Sequence, residues 1–248
     1  MLTESAKQYA EKSAMFGDLR ATDPELYEIL CNFAFGEVLS ERPLEDRTRH
    51  LAVLAALIGS QARELFSEEV TAALAYGVKP AEIREVIYQS FAYLGAGRAL
   101  PFVGLANACF IRAGIALPLE GGATVNYPDR TKAGEDKQVE IFGEGMRGFA
   151  SRGGKTGHVN AWLSANCFGD YYTRKYLSDK DREMVTFCYL LSQGGCEPQL
   201  TSHAAANLKI GNDEQFLISV VSNCLPYVGY PRSLNALACV ENAVKSLS

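Results

Sequence analysis

The sequence lacks several things that would otherwise classify it. Its seven cysteines, Cys31, Cys109, Cys167, Cys188, Cys196, Cys224 and Cys239, contain no Cys-x-x-Cys pair. Their odd number and their placement in apolar runs exclude a disulfide framework and a structural zinc site. A free thiol in such a run behaves as a small buried hydrophobe. No stretch approaches the roughly 18–20 uncharged apolar residues that cross a bilayer. The opening segment Met1–Lys12 is too polar for the apolar core of a signal peptide, so a cytoplasmic location is expected. Basic charge is scarce: the net charge is −5 and the lysines and arginines are dispersed. That balance excludes a nucleic-acid-binding or anionic-membrane surface. No cofactor motif is present, and alternation with period two is nowhere sustained.

What remains is helical. Asp23 before Pro24 reads as an N-cap followed by proline in the first turn, and Leu26, Ile29, Leu30 and Phe33 then share one face. A second helix from Glu45 carries Leu51, Leu54, Ala55 and Ile58. A third runs from Arg63 to Tyr76 and is capped by Gly77. Pro80 opens a fourth, broken at Gly95 and Gly97, and Leu100 to Ala113 form a fifth. The same plan recurs over Gly157–Tyr172, Ser178–Gln193, Glu197–Lys209, Asp213–Tyr227 and Pro231–Lys245. The fold class is all-α.

The recurrence extends to landmarks. Leu44-Glu-Asp-Arg-Thr-Arg49 parallels Leu177-Ser-Asp-Lys-Asp-Arg182, an offset of 182 − 49 = 133. Tyr93-Leu-Gly95-Ala-Gly-Arg98 parallels Tyr227-Val-Gly229-Tyr-Pro-Arg232, at 227 − 93 = 134. A tandem duplication is expected, with repeats over 1–117 and 138–248. The Gly-, Pro- and charge-rich segment 118–137 is expected as a linker and not as a helix. Each copy serves as a control for the other: a reactive residue found in only one copy is not there for the fold.

The segment Gly77-Val-Lys-Pro-Ala-Glu-Ile-Arg-Glu-Val-Ile-Tyr-Gln-Ser-Phe-Ala-Tyr93-Leu-Gly95 resembles the core of the carboxymuconolactone decarboxylase family, within the alkylhydroperoxidase AhpD-like superfamily. The second copy is similar but more diverged. The resemblance implies an all-helical fold assembled into rings, possible here as a homotrimer because each chain holds two repeats. The peroxidase branch carries Cys-x-x-Cys-x-x-x-His on the third repeat helix and a glutamate on the preceding one. Here the second copy reads Glu183, then Cys196-Glu-Pro-Gln199-Leu-Thr-Ser-His203. His203 falls on the histidine and Cys196 on the first cysteine, while Gln199 replaces the second. The first copy has Glu69, Leu65 and Ala62 at the three positions, so neither copy keeps the redox pair.

On a helix, Cys196, Gln199 and His203 share a face, but seven residues at ~1.5 Å each separate the thiol from the imidazole by roughly 10 Å along the axis. Gln199 is one turn away from each. Pro198 places Cys196 at or before a helix N-terminus, where the dipole favours thiolate. A disulfide-cycling peroxidase lacks a resolving thiol in this reading. The leading reading is therefore acid–base chemistry on a small anionic carboxylate or lactone metabolite. His203 would carry the proton, Glu183 would support it, and Gln199, Arg182, Tyr227 and Arg232 would bind substrate. The rivals are a one-cysteine hydroperoxide reductase using Cys196 and a non-catalytic oligomeric binding or scaffold protein. Plainer roles stay open: an interface histidine at 203, structural ion pairs at Arg49 and Arg182, core tyrosines at 93 and 227. Glu69 reads as a solvated charge or a remnant first-half site, and His50 and His158 read as surface residues. One active half and one supporting half are expected.

Overall fold

The computed structural model describes residues 1–247, so only Ser248 of the expected second repeat lies outside it. The first half forms α1 (Glu4–Ser13), α2 (Leu19–Thr22), α3 (Pro24–Cys31), α4 (Val38–Glu41), α5 (Asp46–Ser60), α6 (Arg63–Ala75), α7 (Pro80–Leu94) and α8 (Ala96–Arg112). The second forms α9 (Arg130–Phe142), α10 (Gly157–Trp162), α11 (Asp179–Gln193), α12 (Glu197–Lys209), α13 (Glu214–Val228) and α14 (Tyr230–Leu247). Wider π-helical turns at Asn32–Glu37 and Leu163–Tyr172 follow α3 and α10. No strand occurs among the described residues, and none of their helices is long and apolar enough to cross a membrane.

α5 and α11 organise the rest. Every residue of α5 from Arg49 to Gly59 is buried, as is every residue of α11 from Arg182 to Ser192, which marks central helices enclosed on all sides. They lie side by side in the same direction. Near their starts, Arg47 of α5 donates two 3.0 Å hydrogen bonds to Asp181 of α11. Near their ends Gly59 approaches so closely that a Cβ there would stand 2.9 Å from the Tyr189 carbonyl oxygen. The same Cβ would overlap the Ser192 hydroxyl. Gly59 and Ser192 are repeat counterparts (192 − 59 = 133), so the pseudo-twofold axis of the duplication passes through this contact. Leu51–Ile58 and Met184–Leu191 belong to a single apolar core.

The segment 118–137 departs from the expectation of a non-helical linker: it is helical from Arg130 onward. Its glycine is used for close approach. A Cβ on Gly134 would overlap the Ser164 carbonyl of the π-helix, and one on Gly169 would overlap the Arg130 carbonyl. Lys137 of α9 also binds Asp179 at the start of α11 at 2.9 Å. α1 is the first-half counterpart of α9, since 142 − 9 = 133 pairs Phe142 with Tyr9. Each repeat thus has an additional leading helix.

The fourth long helix of each repeat reaches into the other repeat. α7 packs on α5 of its own repeat and also on α11 and the 163–172 π-helix, whereas of the two central helices α13 packs chiefly on α5. Tyr93 is thereby delivered to the second repeat and Tyr227 to the first.

Gly134→Ala is expected to destabilise the protein by about 1–3 kcal/mol through overpacking at the α9 crossing. Gly104→Ala, where a Cβ meets nothing within 4 Å, is expected to stabilise it by about 0.5–1 kcal/mol. Urea unfolding of the two variants measures both signs.

Candidate active site

α11 begins with a reciprocal cap, Ser178 accepting from Asp181 N–H at 3.2 Å and Asp181 from Ser178 N–H at 3.0 Å. Glu183 follows in the first buried turn. Gly194 and Gly195, at φ +68° and +72°, then reverse the chain so that α12 packs back on α11. This fold-back brings His203 Nδ1 within 2.7 Å of Glu183 Oε2. Asn207, one turn further on, donates to the Glu183 carbonyl at 3.0 Å and locks the register. An ionised carboxylate only accepts, so Nδ1 carries a proton, and in the neutral ring it is Nε2 that keeps the lone pair. Nε2 has no hydrogen-bond partner among the described residues.

The other Glu183 oxygen accepts from the Tyr172 hydroxyl at 2.7 Å. The Tyr172 oxygen in turn lies 2.8 Å from Tyr93 OH and 3.0 Å from Thr186 Oγ1. Cys167 Sγ is 3.6 Å from Tyr93 OH. Burial above all, then the Glu183 charge, pushes the Tyr172 hydroxyl far above its ordinary range. Burial does the same to Tyr93 and raises the Cys167 thiol to about 12. These groups remain protonated donors, and their bonds converge on the carboxylate. Tyr172, Tyr93 and Cys167 are site residues that the helical periodicity missed: two sit on the π-helix and one comes from the other repeat.

Beside the dyad is a cavity of about 480 Å³, lined by His203, Gln199, Cys196, Tyr93, Cys167 and Gln193 with Phe142 and Phe168 as apolar walls. His203, Gln199 and Cys196 therefore do share one face. Cys196 is the N-cap of α12, and its thiol donates to the Leu190 carbonyl at 3.4 Å. Burial pushes this thiol up, against the thiolate expected from the helix dipole. No lysine or arginine lines the cavity.

The expected substrate clamps are elsewhere. Arg182 is completely buried, donating to Gln89 Oε1 at 2.7 Å and to the Arg174 carbonyl at 2.6 Å, beside Glu85 at 3.4 Å. It is a core ion-pair residue that no substrate reaches. Tyr227 packs into the first repeat, stacked at 6.3 Å on Phe16 and within the influence of Glu69, Tyr9 and Arg49. Arg232 is exposed and rests on Gly194 outside the lining. Its counterpart Arg98 bonds Gln193 Oε1 at 3.1 Å, so these two arginines flank the Gln193–Gly194 edge and not the dyad.

The first repeat holds the same pair with its members exchanged. His50 Nδ1 lies 2.6 Å from Glu69 Oε1. His50 is the counterpart of Glu183 (183 − 50 = 133), and Glu69 that of His203 (203 − 69 = 134). Both are fully buried, which overturns the surface reading of His50 and the solvated reading of Glu69. Arg49 Nη2 stands 3.0 Å from His50 Nε2, and a guanidinium only donates, so this imidazole is neutral with both nitrogens engaged. Tyr9 accepts from Arg49 at 3.0 Å and lies flat on Phe35 at 3.8 Å, while Tyr76 closes over His50 at 4.9 Å. In the second repeat Tyr9, Phe35 and Tyr76 are replaced by Phe142, Phe168 and Ile210 (offsets 133, 133 and 134). There the two phenylalanines meet edge-on at 5.8 Å and leave the cavity open. His158, as expected, is exposed, its ring edge-on to Trp162.

Carboxymuconolactone decarboxylase sequences match residues 24–108 and 158–242, one segment in each repeat and most of the chain. The chain belongs to the carboxymuconolactone decarboxylase family. A solved structure from Burkholderia xenovorans, a provisional gamma-carboxymuconolactone decarboxylase subunit, shares the fold with a TM-score of 0.57. It is 18% identical over 98% of both chains. No protein of curated function shows significant similarity. In this family member no group of three or more His, Cys, Asp and Glu gathers as for a metal ion among the described residues.

The two histidines should respond differently to truncation. His50→Ala leaves the Glu69 carboxylate buried without its partner, and is expected to lower stability by about 3–5 kcal/mol. His203→Ala, at the edge of a cavity, is expected to lower it clearly less. Equal losses in urea unfolding would contradict the assignment of His50 as structural.

Proposed function

We propose that the second repeat is an acid–base active site in which His203 exchanges a proton with a small carboxylate or lactone metabolite. The observation that carries this reading is the free Nε2 of an imidazole whose other nitrogen is tied to a buried carboxylate. That arrangement fixes the tautomer, points the basic nitrogen at a cavity and stabilises the imidazolium once it forms. Family membership and the fold of a provisional decarboxylase subunit support the same direction.

The charge of the cavity refines the chemistry. With no cation in the lining, a substrate carboxylate facing His203 is poorly solvated and unpaired. Loss of CO2 moves that charge, as the C–C electron pair, into the conjugated lactone or enone. His203 first takes up a proton from water at Nε2, and the imidazolium then delivers it to the carbon, which removes the charge and returns the ring to its neutral form. Glu183 holds the imidazolium, and Tyr172 holds Glu183. Gln199 and Gln193 are the amides available to orient the ring oxygens. The apolar side chains exposed on α8, α10 and α14, among them Leu100, Trp162 and Leu234, favour self-association, and the ring-like homo-oligomer implied by the family resemblance is part of the proposal.

A second reading has one observation in its favour: Cys167 and Cys196 line the same cavity, so a peroxidase would have two thiols within it. Both thiols are pushed up by burial, which opposes the thiolate a peroxidase needs.

Carbon dioxide release from gamma-carboxymuconolactone and related lactone acids separates the readings. His203→Asn is expected to lower turnover about 10²–10⁴-fold, and Cys196→Ser is expected to leave it of the same order as the parent. Turnover that survives His203→Asn contradicts the proposal. Peroxide consumption with sulfenic acid trapped at Cys196 would establish the peroxidase instead.

A further inference from the structure

A second cavity, of about 440 Å³, lies between α7, α8 and the segment after α8. Its walls include Ile87, Val103, Phe110 and Leu119, and its polar groups come from Arg84, Tyr88 and Asn107. It shares no lining residue with the His203 cavity.

Arg84 is the unusual member. Its side chain is 11% exposed, and none of its donors has a hydrogen-bond partner among the described residues, with Nε and Nη2 both buried. Its nearest carboxylate, Glu85 Oε1, is 3.7 Å from Nη2. Glu85 already accepts from Arg174 at 2.9 Å and lies 3.4 Å from Arg182. One buried carboxylate therefore faces three guanidinium groups. Lys175 and the exposed Glu120, paired at 3.2 Å, add one charge of each sign and leave that excess unchanged. A buried guanidinium without acceptors is costly unless something supplies them.

The duplication shows that the fold does not require this. The counterparts of Arg84 and Glu85 are Ile218 and Ser219 (84 + 134 = 218; 85 + 134 = 219). The second repeat keeps the helix and omits the charge, so Arg84 is an addition particular to the first repeat.

We propose that this cavity is a second small-molecule site that binds a carboxylate carried on a short apolar body. The carboxylate accepts from Arg84 and offsets the local positive excess, and the hydrocarbon lies along Ile87, Val103 and Phe110. Asn107 supplies the remaining polar contact. The first repeat, whose His50–Glu69 pair is closed, thus contributes binding at a different place from the repeat that contributes chemistry.

Calorimetric titration of the full-length protein with hexanoate tests this. Saturable binding at one site per chain is expected, weakened at least about tenfold by Arg84→Gln and unchanged by His203→Gln, which places it away from the dyad. Hexanamide, of the same shape without the charge, is expected to bind at least about tenfold more weakly. If Arg84→Gln does not fold, Asn107→Asp, which introduces a carboxylate beside Arg84, is expected to abolish binding with the circular dichroism spectrum retained. The proposal is overturned if hexanoate does not saturate, or if its binding is lost in His203→Gln. It is equally overturned if binding survives both cavity variants, or if inorganic phosphate binds as tightly as hexanoate.

Discussion

The buried imidazole–carboxylate bond that ties the second long helix of each repeat to the third is the interaction on which this molecule depends. It occurs twice, at 2.7 Å between His203 and Glu183 and at 2.6 Å between His50 and Glu69. Its members have traded places between the copies. An exchange of that kind preserves the bond and its charge balance while reversing which helix carries the base and which way the hydrogen bond runs across the helix pair. Loss of the imidazole strands a carboxylate in the core, and loss of the carboxylate leaves a buried imidazole N–H without its acceptor.

What surrounds the bond decides what each copy does. In the first repeat Arg49 occupies the second imidazole nitrogen, and Tyr9 and Tyr76 close over it. In the second, the arginine at the equivalent position, Arg182, turns away to Gln89 and Glu85, and smaller or tilted apolar groups leave an opening. The crossing of α7 and α13 means that neither half makes its site alone. Tyr93 enters the open site from the first repeat and Tyr227 enters the closed one from the second. Specialisation of one copy and retention of the other follow from a shared core through which each half supports its neighbour.

Much of this was legible in the sequence, and the failures have physical causes. Helix ends followed from Pro24, Gly77 and Pro80, because these residues act locally. The cluster of His203, Gln199 and Cys196 followed from the helical period. Arg182 was misread because its partners lie on α7, some ninety residues distant in the chain, and nothing local distinguishes a buried guanidinium from an exposed one. The His50–Glu69 pair is hidden in the sequence because neither residue matches its own counterpart; only the two positions taken together, shifted by the repeat offset, show the exchange. Tyr172 and Cys167 escaped because a π-helix displaces side chains from the faces that a 3.6-residue period assigns. α9 escaped because Gly134 looks like a breaker in sequence and acts as a contact surface in space.

The division into one open and one closed dyad is the central claim, and acylation of the native protein by diethyl pyrocarbonate tests it most directly. The reagent attacks an accessible, unprotonated imidazole nitrogen, and peptide mass spectrometry assigns each modified histidine. The structure requires modification at His203 and at the exposed His158, with His50 modified only after denaturation. Modification of His50 in the native state, or protection of His203 there, would contradict the account.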